Sequence, residues 1–274
     1  MSLKYKPTLY IEMKTSKPII AALFITIIFG FSSCIINVFC IDGNGIIESE
    51  ERSSPEFSKI TNTTSAEIIL ATGEQTGIVI ETDSNLLQYF RASVSSSTLV
   101  IETRGANCIR PSSQPVIYIT AESIDGILLT GSGDLYANNL IGNSIELKSS
   151  GSGDMFIDYA EGNDIEIKIS GSGDVVAYDS WSDAVEARLS GSGDLSISGE
   201  SAEGNFTLSG SGESYASELL VSVSNILISG SGDAYTNVSD ELIASISGSG
   251  NIYYKGNPVI YSNITGSGRI IKLN

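Results

Sequence analysis

Hydrophobic and polar positions alternate with a period of two through most of the C-terminal half of the chain. In segments such as 165–169 (Ile-Glu-Ile-Lys-Ile) and 155–157 (Met-Phe-Ile), every second side chain is aliphatic. This alternation is typical of a strand with one buried face. A Gly-Ser-Gly triplet separates successive segments and predicts a turn, because glycine tolerates positive φ. No apolar period of 3.6 fits between the triplets, so the pattern predicts short strands and tight corners.

The triplet recurs at a nearly constant interval. Its first glycines are Gly131, Gly151, Gly171, Gly191, Gly210, Gly230, Gly248 and Gly266. A unit of this length cannot bury its own apolar face, so neighbouring units must stack, and it is too short for a helical solenoid. We therefore expect an all-β parallel β-helix, with coils about 4.8 Å apart. Right-handed crossovers are the default. Residues 126–274 would form the repeats, and 46–125 a less regular β cap.

An acidic residue usually follows the triplet. These residues are Asp134, Asp154, Asp174, Asp194, Glu213 and Asp233. In register they would stand one above another, and like charges so close repel. We expect their carboxylates to cap the turns by accepting backbone N–H groups. Bound Ca²⁺ is the alternative, but the nine-residue glycine–aspartate repeat of calcium β-rolls is absent, so we predict no metal.

Aromatic residues recur two positions after several of these acids and after Asn251, which follows the next triplet. They are Tyr136, Phe156, Tyr215, Tyr235 and Tyr253. By alternation they point outward, where they could bind a sugar or a protein. They could equally form a cross-coil ladder that only stabilises the stack. Lys148, Lys168 and Arg188, each two positions after a glutamate, indicate a solvated ion-pair face.

The sequence of the N-terminal segment predicts an export signal. Lys14 and Lys17 precede an apolar run at 19–31, whose length suits a signal peptide and is short for a membrane span. The signal would comprise 1–33, with Met13 as an alternative start. Ser33 before Cys34 favours lipidation of Cys34, followed by a tether at 34–45. Ordinary secretion or an uncleaved anchor are the alternatives.

The chain has three cysteines. If Cys34 carries lipid, Cys40 and Cys108 remain as a pair, and an oxidising compartment favours a disulfide between them. Two free thiols are the alternative, and the sequence also allows a bridge between Cys34 and Cys108.

Composition excludes several classes of function. The formal net charge of −17 opposes nucleic-acid binding, and the absence of histidine removes histidine-based triads and metal sites. The enzymatic alternative is sugar cleavage by two carboxylates, near Trp181, Glu200 or Glu203, where the repeat is irregular. Net charge and a polar end at 269–274 disfavour stacking into filaments, so a monomer is expected.

The repeat Ile/Val-x-Leu/Ile-x-Ser-Gly-Ser-Gly-Asp resembles that of the head GIN domain family (DUF2807). The segments 40–45 (Cys-Ile-Asp-Gly-Asn-Gly) and 57–60 (Phe-Ser-Lys-Ile) are similar too. The resemblance implies a right-handed β-helix in a bacterial envelope protein of the Bacteroidetes type and no established activity. We expect a non-enzymatic outer-membrane lipoprotein, periplasmic or at the surface, without cofactor. It would be a scaffold or an adhesin for a glycan or protein, and the alternative is a carbohydrate-binding or carbohydrate-cleaving β-helix.

Overall fold

The computed structural model describes residues 40–73, 77–105 and 108–273, and most of them lie in β-strands. The first strands are β1 (Ile41–Asp42), β2 (Ile47–Arg52), β3 (Lys59–Asn62), β4 (Glu67–Thr72), β5 (Gly77–Asp83), β6 (Phe90–Ser95), β7 (Thr98–Thr103), β8 (Ile109–Arg110) and β9 (Val116–Ala121). A 3-10 helix spans Leu87–Tyr89.

The repeats contribute thirteen further strands. They are β10 (Gly126–Leu129), β11 (Leu135–Ala137), β12 (Leu140–Ile141), β13 (Ser144–Ser149), β14 (Met155–Ile157), β15 (Ala160–Ile169), β16 (Val175–Leu189), β17 (Leu195–Leu208), β18 (Ser214–Ile228), β19 (Ala234–Ile246), β20 (Ile252–Gly256), β21 (Val259–Ile264) and β22 (Ile270–Lys272).

Successive coils pair in parallel, so the predicted all-β solenoid is confirmed. The strand before each triplet pairs with its counterpart in the next coil, for example Ile167 with Ala187. The strand after each triplet does the same, as in the pairing of Met155 with Val175. The aliphatic side chains of the alternating pattern point inward and form one continuous buried core. Leu135, Ile167 and Val185, for instance, are fully buried or nearly so.

The triplet glycines are required for a reason different from the predicted one. None of them has positive φ; the glycines that do are Gly45, Gly105, Gly199 and Gly256. Instead, each triplet lies directly against the backbone of the coil before it. A Cβ on Gly171 would lie 2.0 Å from the carbonyl oxygen of Gly151, and one on Gly191 would lie 2.0 Å from that of Gly171. Only a residue without a side chain permits this approach.

The N-terminal strands belong to the same stack, but their order in the stack differs from their order in the chain. β3 and β4 form a coil that pairs with β10 and β11 on one side and with β7 and β9 on the other. A Cβ on Gly131 would lie 1.9 Å from the carbonyl oxygen of Thr64, so Thr64 occupies the place of a triplet glycine. Antiparallel strands then close this end: β6 pairs with β7, and β2 with β5, which pairs with β9.

A disulfide and a buried carboxylate hold the chain that leads into the stack. Cys40 and Cys108 are bonded, as expected, and β1 pairs beside them with β8. Asp83 is fully buried. Its carboxylate accepts hydrogen bonds from the N–H and hydroxyl of Ser112, at 2.8 and 2.7 Å, and from the N–H of Gly45 at 2.7 Å. These bonds hold the pKa of Asp83 below its ordinary value, the Ser112 hydroxyl contributing most.

The last coil of the described residues contains an exposed strand, β21. All six residues of β21 are exposed, and they include Val259, Tyr261 and Ile264, at 59%, 56% and 44% exposure. The predicted polar end concerns residues 269–274 and does not extend to β21. Polar side chains such as Arg269 and Lys272 do lie on this last coil, but the strand before the final triplet presents apolar side chains to solvent.

Candidate functional site

The predicted aromatic residues form a column on the outer face of the strands that follow the triplets. We call this set, Tyr136, Phe156, Tyr215, Tyr235 and Tyr253, the aromatic column. Because the coils are in register, Tyr136 pairs with Phe156, and Tyr235 pairs with both Tyr215 and Tyr253. The rings of Tyr136 and Phe156 stack with centroids 4.9 Å apart and an interplanar angle of 11°. Those of Tyr215 and Tyr235 lie 5.2 Å apart, and those of Tyr235 and Tyr253 4.7 Å apart.

Stacking decides which parts of the rings a partner can reach. Centroid separations near the strand spacing mean that the rings lie one above another, so each covers a face of its neighbour. The ring edges and the tyrosine hydroxyls are left for solvent, and Tyr136 and Tyr215 are still 41% and 42% exposed. The column therefore offers a partner mainly edges and hydroxyl groups.

The column is interrupted once. Val176 pairs with Phe156 on one side and with Ser196 on the other, and Ser196 pairs with Tyr215. Phe156 and Tyr215 are thus three coils apart, about 14 Å at ordinary strand spacing. Neither Val176 nor Ser196 carries an aromatic ring, so the stacking of rings stops between Phe156 and Tyr215, and we call this position the column gap.

The predicted acids run beside the aromatic column, in line from coil to coil. We call this set, Asp134, Asp154, Asp174, Asp194, Glu213 and Asp233, the acid ladder. One carboxylate oxygen of each of the first four accepts the backbone N–H of the next ladder residue, at 2.7 to 2.9 Å. Charge-assisted bonds of this kind offset the repulsion between like charges. Their second carboxylate oxygens are not used in these bonds.

The carboxylate of Glu213 makes a different contact from those of the first four acids. Its carboxylate lies at the Tyr215 hydroxyl, and this hydrogen bond, with burial, raises the pKa of Tyr215 to about 12. Asp233 resumes the pattern by accepting the N–H of Asn251 at 2.6 Å, and the Asn251 amide oxygen accepts the N–H of Arg269 at 3.1 Å. An amide can therefore take the same place in the ladder as a carboxylate.

The surroundings of Tyr136 and Tyr235 favour the protonated form of their hydroxyls. Partial burial, followed by the charges of Asp134 and nearby acids, raises the pKa of Tyr136. Burial, Glu213 and Asp233 raise that of Tyr235. In the described ranges, no three His, Cys, Asp or Glu side chains come together in a way that could hold a metal ion. The face is thus a row of hydroxyl donors beside a row of negative charges.

Sequence reasoning missed one member of this face. Tyr118 in β9 is 41% exposed and aligns with the column through Ile69, which pairs with both Tyr118 and Tyr136. The sequence of β9 shows the alternation of a strand, but it does not show which strand β9 pairs with. β9 pairs with β4, which is not its neighbour in the chain. Trp181, the irregular residue singled out from the sequence, is 46% exposed and pairs with Glu161 and Glu200 at another corner of the coil.

A second surface lies on the strands that precede the triplets. Lys148, Lys168 and Arg188 each contact the glutamate two residues earlier, as the sequence suggested. The stems of these cations and the serines of the turns line a groove of about 360 Å³. Glu203, one of the acids considered for sugar cleavage, contacts the amides of Asn205 and Asn225. Cys34 lies outside the described residues.

Comparisons with known proteins agree with this fold. The family model described as "Putative auto-transporter adhesin, head GIN domain" (DUF2807) matches residues 56–180 and 160–258. The curated proteins contain no match. A crystal structure of a "putative adhesin" from Parabacteroides distasonis ATCC 8503 aligns with a TM-score of 0.82 at 22% identity, over 86% of this chain and 100% of that one.

Two further crystal structures are similar. One is of a "Putative lipid binding protein" from Parabacteroides distasonis ATCC 8503, with a TM-score of 0.81 at 28% identity, over 86% of this chain and 100% of that one. The other is of a "putative adhesin" from Parabacteroides merdae ATCC 43184, with a TM-score of 0.81 at 22% identity, over 85% and 99%. Across the described part of the chain, no helix has the length and apolarity to cross a membrane.

Proposed function

Because the chain belongs to the head GIN domain family, DUF2807, we propose that it is a non-enzymatic binding protein of the bacterial cell envelope. Its aromatic column and acid ladder would contact a basic surface of a protein partner. The family name supports an adhesin-like role outside the cytoplasm. The similar structures named as adhesins support a binding function rather than catalysis.

The observation that carries this proposal is the pairing of two columns along one face. Stacked rings cover the faces on which a sugar would lie, whereas edges and hydroxyls remain exposed. A continuous row of carboxylates beside them attracts cationic groups, such as lysine and arginine side chains. At the column gap, Phe156 and Tyr215 each have one side without a stacked aromatic neighbour, where a guanidinium or ammonium group could approach the ring. These features favour a basic protein over a neutral glycan.

Poly-lysine serves as a simple probe for this face. Asp154→Asn, Asp174→Asn and Asp194→Asn together remove three charges, while the amide oxygen can still accept the backbone N–H, as Asn251 does. A control replaces Glu161→Gln, Asp183→Asn and Glu200→Gln, which removes three charges from outside the ladder. We expect the ladder variant to bind poly-lysine about tenfold more weakly than the control variant. Equal binding by the two variants, or binding to neutral glycans in an array, would contradict the proposal.

The same proposal places the protein on a membrane by its N-terminus. A signal peptide at 1–33, a lipid on Cys34 and a tether at 34–45 would lead into the domain at 46–274, with the repeats from 126 onward. The charged and apolar segments before Cys34 support this arrangement. Metabolic labelling with a fatty acid should mark the wild type and not Cys34→Ala. Label without protease sensitivity on whole cells would place the protein inside the outer membrane.

The groove supports a second candidate, the binding of an anionic amphiphile. Its walls combine the apolar stems and the charged heads of Lys148, Lys168 and Arg188, and one similar structure is named as a lipid-binding protein. Vesicles of phosphatidylglycerol, compared with vesicles of phosphatidylcholine, test this candidate. It predicts binding to the anionic vesicles that Lys148→Gln with Lys168→Gln weakens. Equal binding to both vesicle types would exclude it.

A further inference from the structure

Three surface cavities join along the outer face of the strands that precede the triplets. The groove of about 360 Å³ shares Leu128 and Lys148 with a cavity of about 120 Å³ beside β3 and β10. It shares Thr207 with a cavity of about 240 Å³ that reaches Leu227 and Ile243. We call the three cavities together the trough. Its residues come from successive coils, so the trough runs along the stack rather than around one coil.

The middle of the trough follows one row of outward-facing residues that pair from coil to coil. In order, this row consists of Leu128, Lys148, Lys168, Arg188, Thr207 and Leu227. At a strand spacing of about 4.8 Å, Lys148 lies about 14 Å from Thr207 and about 19 Å from Leu227. The acyl chain of a bilayer lipid spans about 15 Å, which is half the thickness of the hydrocarbon core. The trough is therefore long enough for one extended acyl chain.

The walls of the groove are apolar although their side chains end in charges. Lys148, Lys168 and Arg188 each contact the glutamate two residues earlier, so their charged groups turn away from the serines of the turns. Their aliphatic stems are left to line the groove. A stem such as that of Lys148 and a serine such as Ser150 are two residues apart, about 7 Å along the strand. This width accommodates one acyl chain and not two.

One end of the trough is uncharged. The residues that line the cavity of about 240 Å³ include no acid and no base. Leu227 and Ile243 are 46% and 39% exposed there. Neighbouring exposed aliphatic side chains favour contact with an apolar ligand. This end therefore suits the methyl end of an acyl chain.

The opposite end has an excess of positive charge. The half-exposed Lys59 lies across Gly126, where a Cβ would be 3.4 Å from the lysine stem, and its Nζ lies 3.9 Å from one carboxylate oxygen of Glu146. Lys148 contacts the other oxygen of Glu146, so two cations face one carboxylate. The cavity of about 120 Å³ at this end has the volume of about four water molecules. It suits a carboxylate and is small for a glycerophosphate headgroup.

We propose that the trough binds one long-chain fatty acid, with its carboxylate at Lys59 and Lys148 and its methyl end at Leu227 and Ile243. This inference rests on the second candidate function above, an anionic amphiphile in the groove, and names the ligand and its direction. Burial of the acyl chain supplies most of the affinity. The formal net charge of −17 does not prevent binding, because charges more than about 8 Å away are largely screened at physiological ionic strength.

Calorimetry with fatty acids below their critical micelle concentrations tests the ligand class. The protein is the exported full-length chain carrying Cys34→Ala, so that no lipid of its own can occupy the trough. Octanoate, decanoate and laurate should bind with increasing affinity, by about fourfold for every two carbons, since the trough covers each CH₂ only in part. An affinity that does not depend on chain length would overturn the proposal.

The carboxylate contacts are tested by a change of headgroup. The wild type should bind laurate about tenfold more tightly than dodecyl dimethylamine oxide, which has a chain of the same length and no net charge. Lys59→Gln with Lys148→Gln should remove this preference by weakening the binding of laurate alone. A preference that survives in this variant would place the carboxylate elsewhere and overturn the proposed direction.

A blocked groove tests the position of the chain. Ser170 lines the groove, so Ser170→Trp should weaken the binding of laurate about tenfold. Ser247→Trp is the matched control, because Ser247 has the same position before a triplet in a coil beyond the groove. It should leave binding unchanged, and its folding shows that the turn tolerates the larger side chain. Equal binding by the two variants would overturn the proposed site.

Photolabelling reports the direction of the chain. A diazirine beside the methyl end of the fatty acid should label Thr207 or Leu227, and a diazirine beside the carboxylate should label Leu128 or Lys148. The reverse pattern would contradict the proposal. Binding of phosphatidylglycerol vesicles without binding of laurate would refute this inference and leave the second candidate function intact. The poly-lysine test concerns the aromatic column and the acid ladder, so its result does not depend on the trough.

Discussion

Replacing one triplet glycine by alanine perturbs the backbone contact between coils directly. A Cβ on Gly191 would lie 2.0 Å from the carbonyl oxygen of Gly171 and 2.7 Å from that of Ser170. An ordinary contact begins at 3.4 Å, so the turn would have to open by more than an ångström. The obstructing atoms belong to the backbone, so no side chain can rotate away.

The expected cost follows from the bonds at this turn. The N–H of Ser192 donates to the carbonyl of Gly171 at 3.0 Å, and that of Ser190 to the carbonyl of Ile169 at 2.8 Å. An opening of this size carries both beyond hydrogen-bond range. Two lost bonds cost about 1–3 kcal/mol together, and the overpacking costs about 1–3 kcal/mol more. We therefore expect Gly191→Ala to lower the free energy of unfolding by about 2–6 kcal/mol.

Urea unfolding followed by far-ultraviolet circular dichroism measures this loss. Gly77→Ala is the matched control, because a Cβ on Gly77 meets nothing within 4 Å and Gly77 does not have positive φ. The control should stay within about 1 kcal/mol of the wild type. If Gly191→Ala and Gly77→Ala unfold at the same urea concentration, the close approach of the coils does not require glycine in the triplets.

Three further predictions concern the ladder and the N-terminal segment. Asp194→Asn should change stability little, because an amide oxygen can still accept the N–H of Glu213, whereas Asp194→Ala should cost about 1 kcal/mol in urea unfolding; equal losses would contradict the ladder's role. Cys108→Ser removes a bridge spanning 68 residues and should destabilise the protein by about 4 kcal/mol; an unchanged melting temperature would be contrary evidence. The pKa of Asp83 is lowered below 3.8 in the folded state, so its stabilisation is complete above that pH and is lost as the pH falls through the folded pKa. At acid pH, the free energy of unfolding of Asp83→Asn should therefore depend less steeply on pH than that of the wild type. An identical pH dependence would refute this assignment.

The repeat made most of the fold predictable. The nearly constant spacing of the Gly-Ser-Gly triplets, with alternation on either side, determined both the stacking and the faces of residues such as Ile167 and Phe156. The role of the glycines was misassigned, because a local pattern cannot distinguish a need for positive φ from a close approach of another coil. That approach exists only between segments that lie one full coil apart in the chain.

The N-terminal strands and the exposure of the last described coil were harder to predict. β9 lies beside β4, although four strands, β5 to β8, separate them in the chain, and no sequence period marks this return. The alignment of Tyr118 with the aromatic column was therefore not predicted. The final coil was expected to be a polar cap because of its Arg269 and Lys272. Its strand β21 keeps the register of the strand before it, since Ile264 pairs with the buried Ile246, and yet all six residues of β21 are exposed.

Oxidative footprinting of aromatic side chains tests most directly whether the aromatic column and acid ladder form the binding face. Hydroxyl radicals label exposed tyrosine and phenylalanine rings, and mass spectrometry measures the labelling at each residue with and without poly-lysine. We predict that poly-lysine protects Tyr136, Phe156 and Tyr215 and leaves Tyr178 and Tyr261 unchanged, although both of these are more exposed, at 53% and 56%. Protection of Tyr178 and Tyr261 with none on the column would contradict the proposed function.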